Sequence, residues 1–286
     1  MARSSAHKGL WSASGPDRIL SGDNAVILPQ LPDEAFSLIY LDPPFNTGKA
    51  QRRDRFVIES DDGSGRVGFG GRHYELSSVE GPSYSDSFTD YRSFLEPRLR
   101  ECWRLLAPNG TLYVHLDWRE VHYVKVWLDE MVGRDKFLNE IIWAWDYGGK
   151  TKKRWPTKHD TILVYVKDPK NYTFNSEEID REPYMAPGLV DDAKRARGKL
   201  PTDVWWHTIV SPTGHEKTGW ATQKPLGILR RIITASSNPG DWVLDLFAGS
   251  GTTAVAAREL GRRFVVIDSH KDAIATMQQR LDMSEG

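Results

Sequence analysis

The chain has 286 residues, 39% of them hydrophobic and 27% charged, with a formal net charge of −1. That length can bury a full core, as one large α/β domain or two small ones, and the near-neutral balance excludes a global polycation. A single cysteine, Cys102, excludes an intrachain disulfide and a cysteine-rich zinc site and fits a reducing cytoplasm.

No apolar run has the length of a membrane span, and residues 1–15 lack an apolar signal core. Residues 1–16 read as a flexible or loosely docked leader. A short strand is predicted from Arg18 to Asp23, then a short helix from Asn24 to Leu31, stopped near Pro32. The apolar run 36–41 (Phe-Ser-Leu-Ile-Tyr-Leu) predicts a buried strand, closed by Asp42, Pro43, Pro44 and Phe45. Two prolines in succession stiffen that loop, because each fixes its own φ and biases the residue before it toward extended geometry.

From Asn46 to about Phe88 the sequence is rich in Gly, Ser, Arg and Asp without a sustained period, and it reads as a mobile structureless insertion. Helical spacing follows from Tyr91 to Leu106, stopped by Pro108-Asn109-Gly110. Then come a strand at 111–116, a helix at 121–132, and strands at 140–145 and 161–166, with a basic, glycine-punctuated tip between the last two. Residues 168–220 lose the alternation and read as irregular. Regularity returns with a helix at 226–236, a strand at 242–247, a glycine turn, a helix to Leu260, a strand at 263–268 and a final helix from Lys271 to Leu281.

Two loops carry chemistry. The first holds one carboxylate (Asp42), a backbone carbonyl and one aromatic face (Phe45) at fixed spacing. That set suits a flat heteroaromatic ring with an exocyclic amino group. The second is Asp245-Leu-Phe247-Ala248-Gly249-Ser250-Gly251-Thr252, a strand end, a tight turn and a helix start. Gly249 and Gly251 permit positive φ and close backbone approach to a ligand. Asp268 stands at the distance where a dinucleotide fold keeps its ribose-binding acid. Asp245, however, would repel a pyrophosphate and would welcome a cation, and no phosphate-cradling Gly-Lys-Ser/Thr ending is present. The histidines, among them His115, His122, His159, His207 and His215, show no metal-ligand spacing, so no metal site is predicted.

With these residues the chain resembles the amino-directed DNA methyltransferases, which methylate exocyclic nitrogens of adenine or cytosine. The resemblance rests on Asp42-Pro43-Pro44-Phe45, on Thr222-Gln-Lys224-Pro225, and on Phe247-Ala-Gly-Ser-Gly-Thr252. The catalytic motif precedes the cofactor motif, as in the family's β arrangement of restriction-system modification enzymes. It implies an α/β fold: a seven-stranded, mostly parallel sheet with one antiparallel strand, helices on both faces, and the strand ending at Asp245 beside the one ending at Leu41. It divides the chain into a catalytic half (17–145, with the insertion 46–88), a target-recognition region (146–220) and a cofactor half (221–286).

Carried over residue by residue, Asp42 and the Pro43 carbonyl would accept from the target amine and Phe45 would stack on the base. S-adenosylmethionine is the implied cofactor. Asp245, Phe247, Ala248, Gly249, Ser250, Gly251 and Thr252 would line its methionine side, with Asp42 close by. Asp268 would hold the ribose, Asp23 the adenine amine, and Thr222 with Lys224 the carboxylate. The implied partner is double-stranded DNA, contacted by Arg52, Arg53, Lys150, Lys152, Lys153, Arg154, Arg195 and Arg197. A cognate restriction endonuclease and a homodimer are further expectations. Adenine is favoured because the family's cytosine enzymes more often place Ser before Pro-Pro. N4-cytosine methylation, an inactive DNA-binding regulator on the same scaffold, and a nicotinamide oxidoreductase are the alternatives.

Overall fold

The computed structural model describes residues 11–49, 51–52, 55–61, 66–67, 73–79, 83–84, 86–211, 214, 216–220 and 222–283, with backbone alone between 51 and 84. Strand β1 (Arg18–Ser21) leads into helix α1 (Asn24–Ile27), which continues as a single 3-10 turn, and then into β2 (Phe36–Leu41). Short strands β3 (Gln51–Arg52), β4 (Arg55–Asp61), β5 (Arg66–Val67), β6 (His73–Val79) and β7 (Ser83–Tyr84) follow. Next are α2 (Tyr91–Leu105), β8 (Leu106–Leu116), α3 (Val121–Val132), β9 (Phe137–Ala144) and β10 (His159–Val166). The chain closes with α4 (Asp192–Arg197), β11 (Val204–Trp206), α5 (Leu226–Ser236), β12 (Trp242–Asp245), α6 (Thr252–Glu259), β13 (Arg263–Asp268) and α7 (Lys271–Met283).

Eight of these strands form one sheet in the order β1-β13-β12-β2-β8-β10-β9-β11. All neighbours are parallel except those of β10, which runs against both β8 and β9. The predicted single antiparallel strand is therefore β10. The eighth strand, β11, lies in the stretch read as irregular; its three residues gain backbone pairing by lying parallel to β9.

Side chains alternate across the sheet with the period of two that pleating imposes. Ile39, Leu41, Leu112, Val114, Leu244 and Val265 face α2 and α3, meeting Leu95, Leu99, Val124 and Leu128. Leu38, Tyr40, Tyr113, Val243, Phe264 and Val266 face α5, α6 and α7, meeting Leu229, Ile232, Ala256 and Met277. Burying one such large aliphatic side chain contributes roughly 1.5–3 kcal/mol. This two-sided burial explains why β2 and β12 read as nearly continuous apolar runs.

Two expectations are corrected, and a third is resolved between its two alternatives. The insertion is not without structure: β4, β5 and β6 form a three-stranded antiparallel sheet, and β3 pairs with β7. The Pro108-Asn109-Gly110 stop lies inside β8, whose pairing with β2 shifts register there. The leader is docked from residue 11 onward. Trp11 is buried, stacked on Phe36 at 5.2 Å and edge-on to Trp242 at 4.9 Å. Arg263 adds hydrogen bonds to Asp17 and to the Gly15 carbonyl.

Candidate active site

The parallel strands β1, β13, β12, β2 and β8 all end at the same edge of the sheet. In such folds ligands bind in the crevice outside those carboxyl ends. A cavity of about 400 Å3 opens there, lined by Asp42 and Pro44 of the loop after β2 and by residues 245–250 of the glycine turn. Chain segments far apart in sequence thus share one pocket, because β2 and β12 pair directly, Tyr40 opposite Asp245.

The Asp42–Phe45 loop is braced from below. Tyr40, buried at the end of β2, hydrogen-bonds His115 Nδ1 at 2.7 Å, and His115 Nε2 lies 3.2 Å from Asp160 Oδ2. Burial, reinforced by Asp42, Asp245 and Asp160, holds the Tyr40 hydroxyl well above the usual tyrosine range, so it stays protonated. The Phe45 ring lies 6.0 Å from the His115 ring. From the other side, Tyr91 donates to the Pro44 carbonyl at 2.7 Å. Asn46 donates to Glu120 at 2.8 Å, and its backbone N–H donates to Asp86 at 2.7 Å.

The glycine turn is held by two carboxylates. Asp245 is buried; its Oδ1 accepts from the Phe247 N–H at 2.9 Å and its Oδ2 from the Thr253 hydroxyl at 2.6 Å. Burial pushes its pKa up to about 7, although those two hydrogen bonds pull the other way. Asp268, also raised by burial, accepts from the Gly249 and His270 N–H groups at 2.8 Å each. Gly249 has φ +51°, and a Cβ there would stand 2.9 Å from Trp220 Nε1. Backbone and tryptophan therefore approach closely because no side chain intervenes.

Asp23 caps α1 by accepting from the Ala25 N–H at 2.9 Å, and it also pairs with Arg98 at 3.0 Å. It lines the pocket, as do Thr222 and Lys224. The Lys224 ammonium is 2.5 Å from Asp42 Oδ2 and 5.1 Å from the centre of the Phe45 ring. Asn24, Phe94, Arg98 and Trp220 also line the cavity, and the sequence reading assigns none of them to the site. Arg98 joins α2 to the start of α1, donating to Asn24 at 2.5 Å, a long-range contact that spacing does not encode.

A cavity of this size lies in the usual range for small-molecule sites, roughly 300–1,000 Å3. Four carboxylates (Asp23, Asp42, Asp245, Asp268) line it, together with Gly22 and Gly249. That donor set fits a cationic nucleoside such as S-adenosylmethionine.

The basic tip lies at the same edge, since β9 runs parallel to β8 and ends at Ala144. Lys150, Lys152, Lys153 and Arg154 are exposed, and Arg154 stands 5.9 Å from the ring of Trp118, which follows β8. Arg195 and Arg197 do not join them: they pair with Asp192 and Glu177. Their segment is fastened near the opposite edge, where Asn175 bonds the carbonyls of Thr234 and Ser237. Arg53 lies outside the described residues, and of Arg52 only the backbone is described. Among the tryptophans, Trp143 and Trp205 are buried and Trp206 is exposed.

The family profile described as DNA methylase, for the N6/N4 group, matches residues 36–279. Type II methyltransferase M.HpaI of Haemophilus parainfluenzae is 33% identical over 268 residues, 93% of this chain and 74% of that protein. DNA adenine methyltransferase YhdJ of Escherichia coli (strain K12) is 32% identical over 274 residues, covering 93% and 83%. In fold, the chain is similar to the M1.HpyAVI–SAM complex (TM-score 0.58, 23% identity, 93% of this chain and 98% of that one). It is similar also to the cytosine-N4-specific PvuII DNA methyltransferase (TM-score 0.63, 14% identity, 93% and 86%).

Proposed function

The chain belongs to the N6/N4 DNA methylase family, and we propose that it transfers the methyl group of S-adenosylmethionine to the exocyclic N6 of adenine in a specific double-stranded site. The observation that carries this reading is the single cavity shared by Asp42 and the glycine turn. Adenine is supported by Asp42 before Pro-Pro and by the likeness to YhdJ. The PvuII enzyme shares the fold at 14% identity and carries no argument about the base.

Asp245, Asp268, Asp23 and the 247–252 backbone would hold the cofactor, with Thr222 and Lys224 toward its carboxylate. When bound, it supplies an electrophilic methyl on a sulfonium, a good leaving group. The residues of this chain do the rest. An aromatic amine is a poor nucleophile because its lone pair is delocalised into the ring. Asp42 Oδ2 and the Pro43 carbonyl would hold its two protons, favour a pyramidal nitrogen and concentrate that pair toward the methyl. Phe45 would stack on the ring, and Asp42 would take the proton released as the new C–N bond forms. Positioning and preorganised charge carry the acceleration. Reaching the amine in a duplex requires everting the nucleotide, at a cost of roughly a few kcal/mol.

The tip 148–155, with Trp118, would supply contacts to the duplex. A cognate restriction endonuclease, a homodimer and a cytoplasmic location complete the proposal. Single-molecule sequencing of DNA from cells with and without the gene tests it. N6-methyladenine confined to one motif is expected; N4-methylcytosine would reverse the choice of base.

A further inference from the structure

Lys224 occupies the position that the proposed methyl transfer reserves for the substrate. Its ammonium donates to Asp42 Oδ2 at 2.5 Å, the oxygen meant for the target amine, and stands 5.1 Å from the Phe45 ring centre, over the platform meant for the base. Both side chains are largely buried, at 10% and 14% exposure. A nitrogen donor on the acceptor oxygen and over the aromatic face is what an everted adenine would present.

The root of this lysine lies on the other half of the pocket. Its backbone carbonyl accepts from the Thr252 hydroxyl at 3.1 Å, at the start of α6 beside the glycine turn. Root and tip therefore belong to different loops, joined by a flexible four-carbon stem. A largely buried ammonium does not leave a carboxylate without another anion to receive it, because an unpaired charge in such a site is costly. The amino-acid carboxylate of the cofactor is such an anion.

We propose that Lys224 is a placeholder for the target amine and couples the two halves of the site: its ammonium stays on Asp42 until the cofactor carboxylate takes it, and only then is the acceptor open to a base. This rests on the assignment of Asp42 as amine acceptor. It makes binding ordered, cofactor before everted base. It also makes the coupling reciprocal, so an everted base tightens the cofactor by the same factor.

The test uses a duplex carrying the site found by sequencing, with 2-aminopurine, fluorescent when unstacked, in place of the target adenine. Three conditions are compared: no cofactor, saturating sinefungin (a non-reactive analogue that keeps the carboxylate), and saturating methylthioadenosine, which keeps the nucleoside but lacks the carboxylate. Sinefungin should strengthen eversion roughly tenfold or more, and methylthioadenosine should not. Lys224→Met should evert the base equally with and without sinefungin. Equal eversion by the wild type in all three conditions overturns the proposal, as does a methylthioadenosine effect matching that of sinefungin or a retained sinefungin dependence in Lys224→Met. Should the variant not fold, the wild-type conditions decide alone. Labelled methyl transfer by the wild type to the unsubstituted duplex separates this from the functional reading: its absence sinks that reading, whereas transfer without ordered eversion sinks only the role of Lys224.

Discussion

Asp42 lies 182 positions from Lys224 in sequence and 2.5 Å from it in space, and its worth depends on what its oxygens can accept. Asparagine there keeps the shape but offers a poorer acceptor and no base, so Asp42→Asn should slow labelled methyl transfer by at least about 10²-fold with an unchanged circular dichroism spectrum. His115 has a different task. It is fully buried and satisfies Tyr40 on one side and Asp160 on the other. Phenylalanine in its place leaves the Tyr40 hydroxyl unpaired, at a cost of about 1–3 kcal/mol, read as a lower urea midpoint at unchanged slope. Asp245 brings pH into the site. Its folded pKa is raised to about 7 by burial, so its contribution to stability is present below the unfolded value of about 3.9 and is lost as pH rises toward 7. A cation bound beside it selects the ionised form. Sinefungin binding should therefore strengthen from pH 6 to 7.5 and release a proton near pH 6.5. Calorimetry in buffers of differing ionisation enthalpy measures that proton, which should vanish in Asp245→Asn.

The turn between β12 and α6 shows what a local sequence signal can convey. Gly251 sits at φ +78°, and a Cβ there would lie 2.5 Å from Met277 Cγ on α7. Alanine would meet both backbone strain and a collision, so Gly251→Ala should destabilise by roughly 1–3 kcal/mol in thermal unfolding. The turn, the Asp42-Pro43-Pro44-Phe45 loop and the two-sided apolar strands were legible because each is a local pattern of residue types with one good conformational solution. The edge strand β11 was not, since Val204–Trp206 is a strand only through β9. Nor was the Pro108-Asn109-Gly110 stretch, whose turn residues are absorbed into β8 where its register shifts. At the site, the motif residues were legible and their cross-links were not. Arg98 on Asn24 and Lys224 on Asp42 join elements whose meeting depends on the whole topology.

At the scale of the molecule, charge is distributed rather than abundant. A net charge of −1 gives no long-range attraction for a polyanion, yet exposed Lys152, Lys153 and Arg154 stand at the pocket's edge of the sheet. Replacing all three by alanine should weaken duplex binding and shallow its dependence on log salt by up to about 0.9 for each phosphate no longer neutralised. Replacing Arg195 and Arg197, paired with acidic neighbours away from the pocket, should change that slope little. Trp11 acts at the opposite rim. Wedged against Phe36 and Trp242, it grips the roots of β2 and β12, whose tips carry the Asp42 loop and the glycine turn. A rivet at the base of a pair of tongs sets how steadily the jaws meet. Loosening it by Trp11→Ala should lower turnover while leaving every atom of the jaws in place.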